Sequence, residues 1–126
     1  MSIALWCVLF MGLLPIVVGG ISKKLGGRYD NNDPRGQALG YKGMAKRAYA
    51  AHQNSFEAFS LFAVAILVAE MKGAPRGTVD FLALAVVGLR LGYVAAYMAD
   101  KSVVRSVVWV LALLATIAIF ISPLWK

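Results

Sequence analysis

Residues 47–71 read RAYAAHQNSFEAFSLFAVAILVAEM, and from Phe59 onward the stretch is apolar enough to cross a bilayer. Its first half carries Arg47, His52, Asn54 and Glu57 at the mouth of the same run. On a helix Arg47 and Asn54 lie seven residues apart, and Glu57 follows at the next i+3. All three therefore share one face, and His52 falls away from it. A membrane helix does not carry such groups without something polar to meet.

The rest of the chain supports a bilayer as its solvent. Hydrophobic residues make up 60% of 126 residues, charged residues only 15%, and the mean hydropathy is +0.72. A soluble domain of this length could not bury so much apolar surface, and the length allows one domain, 1–126. The formal charge is +7, from 13 Lys and Arg against 6 Asp and Glu. These charges sit between apolar runs rather than on a soluble face. They fit membrane topology and an anionic ligand better than nucleic acid. The lone Cys7 lies inside an apolar run, forms no internal disulfide and has no zinc-spaced partner, so no metal is expected. If the chemistry uses a thiol, that thiol arrives with a substrate.

Four stretches reach the roughly 20 residues that a helical span needs, at about 2–21, 44–71, 78–99 and 102–123. The first is interrupted by Pro15 and by Gly19-Gly20. A polar loop with the turn-rich core GGRYDNNDPRG follows it, whereas KGAPRG and DKS are tight connections. Short connections force antiparallel neighbours. The expected fold is all-α: an integral membrane four-helix bundle. Lys23, Lys24, Arg28, Arg35, Lys42, Lys46, Arg47, Lys101 and Arg105 fall on one side, and Lys72, Arg76 and Lys126 on the other. That asymmetry places loops 1 and 3 in the cytoplasm and both termini outside.

One basic residue, Arg90, is left within a span, at a cost of about 2.5–3.5 kcal/mol unless paired or hydrated. Arg90, Tyr93 and Tyr97 fall at i, i+3 and i+7 on a single stripe. The last span opens with Arg105 and Ser106, and Trp109 lies one turn beyond Arg105. Asp80 suits the first turn of the third span, where the helix dipole favours an anion. Polar groups from several spans thus gather at one depth. Taken singly, each also fits a structural role: Asn54 and Glu57 as interhelical hydrogen-bonders, Glu57 with Arg90 as an ion pair, the aromatics as packing.

The segments RAYAAHQNSFEAF, RLGYVAAY and VRS together resemble the MAPEG family, membrane-associated proteins in eicosanoid and glutathione metabolism. The resemblance covers nearly the whole chain and implies a homotrimer that binds glutathione between subunits in the cytoplasmic half of the membrane. It implies that Asn54 and Glu57 contact the tripeptide, with Glu57 facing its ammonium. Tyr93 and Tyr97 line the site, Arg105 and Ser106 lie by the thiol, and Arg47 and Arg90 neutralise carboxylates or hold Glu57. The implied activity is that of a glutathione transferase, peroxidase or isomerase on lipophilic substrates. Two positions depart from the pattern: Ala50 stands where eicosanoid-type members carry arginine, and Gln53 where one branch does.

The chemistry of glutathione matches this residue set. Two carboxylates and an ammonium ask for cations and one placed carboxylate, and only the thiolate attacks. A guanidinium at Arg105 in a poorly hydrated site would stabilise that thiolate against a lipophilic electrophile. Two other readings stay open in the sequence. One is a small four-helix transporter, though its essential glutamate would sit in the first helix, which here has none. The other is a noncatalytic scaffold of the same fold. The chain's shortness favours a bacterial inner membrane over the endoplasmic reticulum.

Overall fold

A computed structural model describes residues 1–125. In chain order it contains α1 (Ile3–Leu25), α2 (Pro34–Leu39), α3 (Gly43–Met71), α4 (Arg76–Met98) and α5 (Ser102–Ile121), then a 3₁₀ turn at Ser122–Trp125. Among the described residues four helices are long and apolar enough to cross a membrane, and none of these residues is strand. The bundle is all-α, with α1 packed chiefly on α3 and α4 on α5. In α3 the buried positions Ala45, Ala48, Ala51 and Ser55 follow helical spacing and are small, which lets backbones approach closely. Larger side chains, Phe62 and Ile66, fill the same face further along, in one core cluster with Met11 and Val18 of α1 and Val86 of α4. Buried hydroxyls bond back to their own helices: Ser22 to the Gly19 carbonyl, Ser55 to Ala51 and Thr116 to Ala112. These buried hydroxyls thereby ask lipid for no partner.

The first span is one helix: α1 runs through Pro15 and Gly19-Gly20 to Leu25. Beside this segment Nδ1 of His52 donates to the Pro15 carbonyl at 2.5 Å, and the imidazole packs where a Cβ on Gly19 would stand. Asp80 does not serve its own helix start, because α4 begins at Arg76 and places it in the second turn. Its carboxylate accepts instead from the backbone N–H of Ala4 at 2.8 Å. Ser2 caps α1 as well, accepting from Leu5 and donating its hydroxyl to Glu70. These bonds satisfy orphan amides at the α1 N-terminus and tie it to α3 and α4 at one end of the bundle.

The two tight connections share one solution. After α3, Gly73 (φ 66°) donates to the Glu70 carbonyl, and Ala74 donates to Ala69. After α4, Asp100 (φ 60°) donates to Tyr97, and Lys101 donates to Ala96. Both are Schellman closures with a left-handed residue at the turn. Glycine adopts that conformation freely and aspartate does not. Asp100→Gly should therefore raise stability by about 0.5 kcal/mol, whereas Asp100→Val should lower it. Thermal unfolding in a fixed detergent measures both.

Candidate functional site

At membrane depth the polar face of α3 meets α4 through Asn54. Arg90 is buried, 1% exposed, and donates through Nη2 to Oδ1 of Asn54 at 2.8 Å. Asn54 in turn donates through Nδ2 to Glu57 at 3.3 Å. The expected direct pairing of Glu57 with Arg90 is thus replaced by a bridge, with the amide standing between cation and carboxylate. The guanidinium lies over the ring of Tyr93, 4.0 Å from its centroid. Arg90 Nε is buried and has no hydrogen-bond partner among the described residues. Counted back from Met98 at 1.5 Å per residue, this group is about 12 Å inside the helix end.

From Arg90 the row continues toward the loop. Tyr93 meets Tyr97 edge-on at 5.7 Å, and Arg105 of α5 lies over the Tyr97 ring at 4.5 Å. Glu57, Asn54, Arg90, Tyr93, Tyr97 and Arg105 therefore form one contiguous row across three helices. Ser106 is exposed and lines the same hollow as Tyr93, Tyr97 and Arg105, one of about 450 Å³. A second hollow of about 210 Å³ holds Asn54, Glu57 and Arg90 at its polar end. Trp109 lines both, so the two adjoin at its ring. Together they reach the size of ordinary small-molecule sites.

Arg47 is not part of this row. Its Nε donates to the Met98 carbonyl at 3.1 Å, so it closes the C-terminal end of α4, where a cation is favoured. It lines neither hollow. His52 faces α1 on the other side of α3. The apolar wall of the smaller hollow was not anticipated: Met11, Ala58, Leu61, Val86, Ala112, Leu113 and Thr116. Spacing carried a usable signal for most of it. Ala58 and Leu61 lie one and two turns beyond Asn54, Ala112 lies a turn beyond Trp109, and Val86 lies a turn before Arg90. Each stripe that begins polar near the loop continues apolar toward the membrane centre.

Chemically, the row offers two guanidinium groups, one carboxylate, one amide and two phenols to a single guest, beside an apolar slot. The set contains no His/Cys/Asp/Glu group able to hold a metal among the described residues. A family model described as the MAPEG family matches residues 2–125. No curated protein and no solved structure matches the chain. With essentially its whole length covered, this chain belongs to the MAPEG family, which includes glutathione transferases and related membrane proteins.

Proposed function

We propose that the protein is a membrane-bound, glutathione-dependent transferase or peroxidase acting on lipophilic electrophiles, built as one MAPEG-like domain. The observation that carries this reading is a buried guanidinium whose charge no carboxylate contacts among the described residues: Arg90 meets an amide and a ring face, and its Nε has no partner among them. A cation kept in that state at membrane depth is suited to an anionic guest. Family members use glutathione, and its groups fit the row. Glu57 takes the ammonium, Asn54 hydrogen-bonds the same end, and Arg90 faces a carboxylate. Tyr93 and Tyr97 line the middle. Arg105, with Ser106 beside it, takes the thiol end.

In that placement Arg105 does the chemical work. Its guanidinium favours the thiolate over the thiol, and the apolar helix faces around it keep water from screening the attraction. In the transferase reaction the sulfur lone pair forms a bond to an electrophilic carbon while the leaving group departs with its electron pair, or the carbon's double bond accepts the pair. In the peroxidase reaction the sulfur takes the distal oxygen of a hydroperoxide, the alcohol leaves, and a second glutathione completes the disulfide with loss of water. Trp109 and the apolar slot below it form the path from the bilayer.

The hollows carry Arg90 and Arg105 against Glu57, a surplus of one cation, whereas the thiolate form of glutathione carries two net negative charges. Ala50 and Gln53 add no charge. A homotrimer with the site between subunits, where a neighbour's basic loop stands at the same level, completes the match. The basic asymmetry of the loops orients loops 1 and 3 to the cytoplasm and the termini outward, in a bacterial-type inner membrane.

Two measurements test the assigned roles. In Arg105→Ala the ultraviolet thiolate band of bound glutathione should appear only at higher pH, its midpoint moving up by about 1–2 pH units. An unmoved band removes Arg105 from the thiol. Glu57→Gln should weaken glutathione in a calorimetric titration on the order of tenfold, with Asp30→Asn in the exposed loop as an unaffected control. Equal behaviour of the two variants would show that the ammonium lies elsewhere.

A further inference from the structure

On the other side of α3 from the polar row, α1, α2 and α3 enclose a hollow of about 450 Å³. It shares no lining residue with the two hollows already described. Lys23 and Arg35 stand on its rim, and no carboxylate lines it among the described residues. The neighbouring acids are engaged with backbone: Asp33 accepts from Gly36 at 3.0 Å, and Asp30 accepts from Asn32 at 2.9 Å. One wall is a continuous run of rings. Tyr41 meets Tyr49 at 6.0 Å, Tyr49 meets His52 at 5.7 Å, and His52 meets Phe56 at 5.2 Å. At Gly20 the space is open, since a Cβ there would meet nothing within 4 Å.

Below the rim the surface turns apolar. Leu13, Ile16 and Val17 are exposed and share one helical stripe with Gly20, and exposed Phe56 continues the ring wall downward. The cations sit where α1 leaves its apolar run for the basic loop, which is the level of lipid phosphates. We propose that this hollow binds the headgroup of an anionic phospholipid. Lys23 and Arg35 neutralise its phosphate, the tyrosine hydroxyls donate to it, and its acyl chains lie along the stripe of Leu13, Ile16 and Val17. Charge complementarity selects this occupant. A zwitterionic lipid would bring its own cation against Lys23 and Arg35, and a free anion would leave the apolar stripe unused. The site stands independently of the glutathione reading.

The test uses the full-length protein in detergent, with phosphatidylglycerol, phosphatidylcholine of the same acyl chains, inorganic phosphate and glutathione as separate probes. Lipid retention by native mass spectrometry and the thermal midpoint are the readouts. Phosphatidylglycerol should be retained and should raise the midpoint of the unaltered protein. The pair K23Q/R35Q should weaken it on the order of 30-fold. Gly20→Leu, which favours the helix and fills the open space, should abolish retention without loss of folding. K42Q/K46Q removes the same charge from the same side but outside the hollow, and should retain the lipid. Equal retention of phosphatidylcholine, an equal response to inorganic phosphate, or an equal loss in K42Q/K46Q would overturn the proposal. So would a change of subunit number in Gly20→Leu without a lipid effect, which would give the hollow to a second copy. Loss of glutathione affinity in K23Q/R35Q, with lipid retained, would assign the rim to the thiol site instead.

Discussion

A single guanidinium at membrane depth sets the terms for the rest of the bundle. Insertion of Arg90 costs about 2.5–3.5 kcal/mol, and the structure meets that cost with no carboxylate in contact among the described residues. A hydrogen bond to a charged group contributes about 1.5–3 kcal/mol, and a desolvated cation over a ring contributes up to about 2. Asn54 and Tyr93 are therefore enough to hold the charge, and neither is free to be something else. The asparagine must turn its oxygen to Arg90, which leaves its Nδ2 for Glu57. The phenol ring must lie under the guanidinium, which brings Tyr97 edge-on and so Arg105 of α5 into the row. One buried charge thus fixes the relative placement of three helices.

The opposite end of the bundle is fastened by a different device. There the unsatisfied amides at the start of α1 are the groups in need, and Asp80 and the capped Ser2 with Glu70 meet them. Backbone amides ask only for acceptors, so the carboxylates at that end are consumed by structure. In the other half the polar groups face one another across open hollows, with a donor to spare at Arg90 Nε. Between the two layers the contact is made by small residues and hydroxyls that bond to their own helices. The polar row and the two hollows it lines lie at the end of the bundle that carries the basic loop.

The four long helices were legible because span length and apolarity are properties of a contiguous segment. The stripe of Arg90, Tyr93 and Tyr97 and the neighbouring positions Asn54 and Glu57 were legible for the same reason, since helical spacing fixes which side chains share a face. Spacing does not report reach. Arg47 shares the face of Asn54 by its spacing, yet its long side chain is taken by the carbonyl end of α4. Asp80 was read against its own helix and serves α1. The apolar wall around Trp109 was legible only by extension from the polar stripes, because in a bilayer the lipid-facing and inward-facing sides are equally apolar and periodicity alone does not separate them.

The same contrast separates the hollows on the two sides of α3. In the polar row Arg90 is withdrawn from water, so its interactions are strong, geometrically specific and weakly screened. On the rim of the other hollow Lys23 and Arg35 are exposed, where a single ion pair contributes little and salt screens it. Rim cations become effective only when a second, apolar interaction holds the anion against them, and the stripe beneath Gly20 supplies one at the same place. Burial thus suits the first site to recognising a small, water-soluble peptide by its individual charged groups. Exposure above an apolar face suits the second to an amphiphile that is already partitioned into the bilayer.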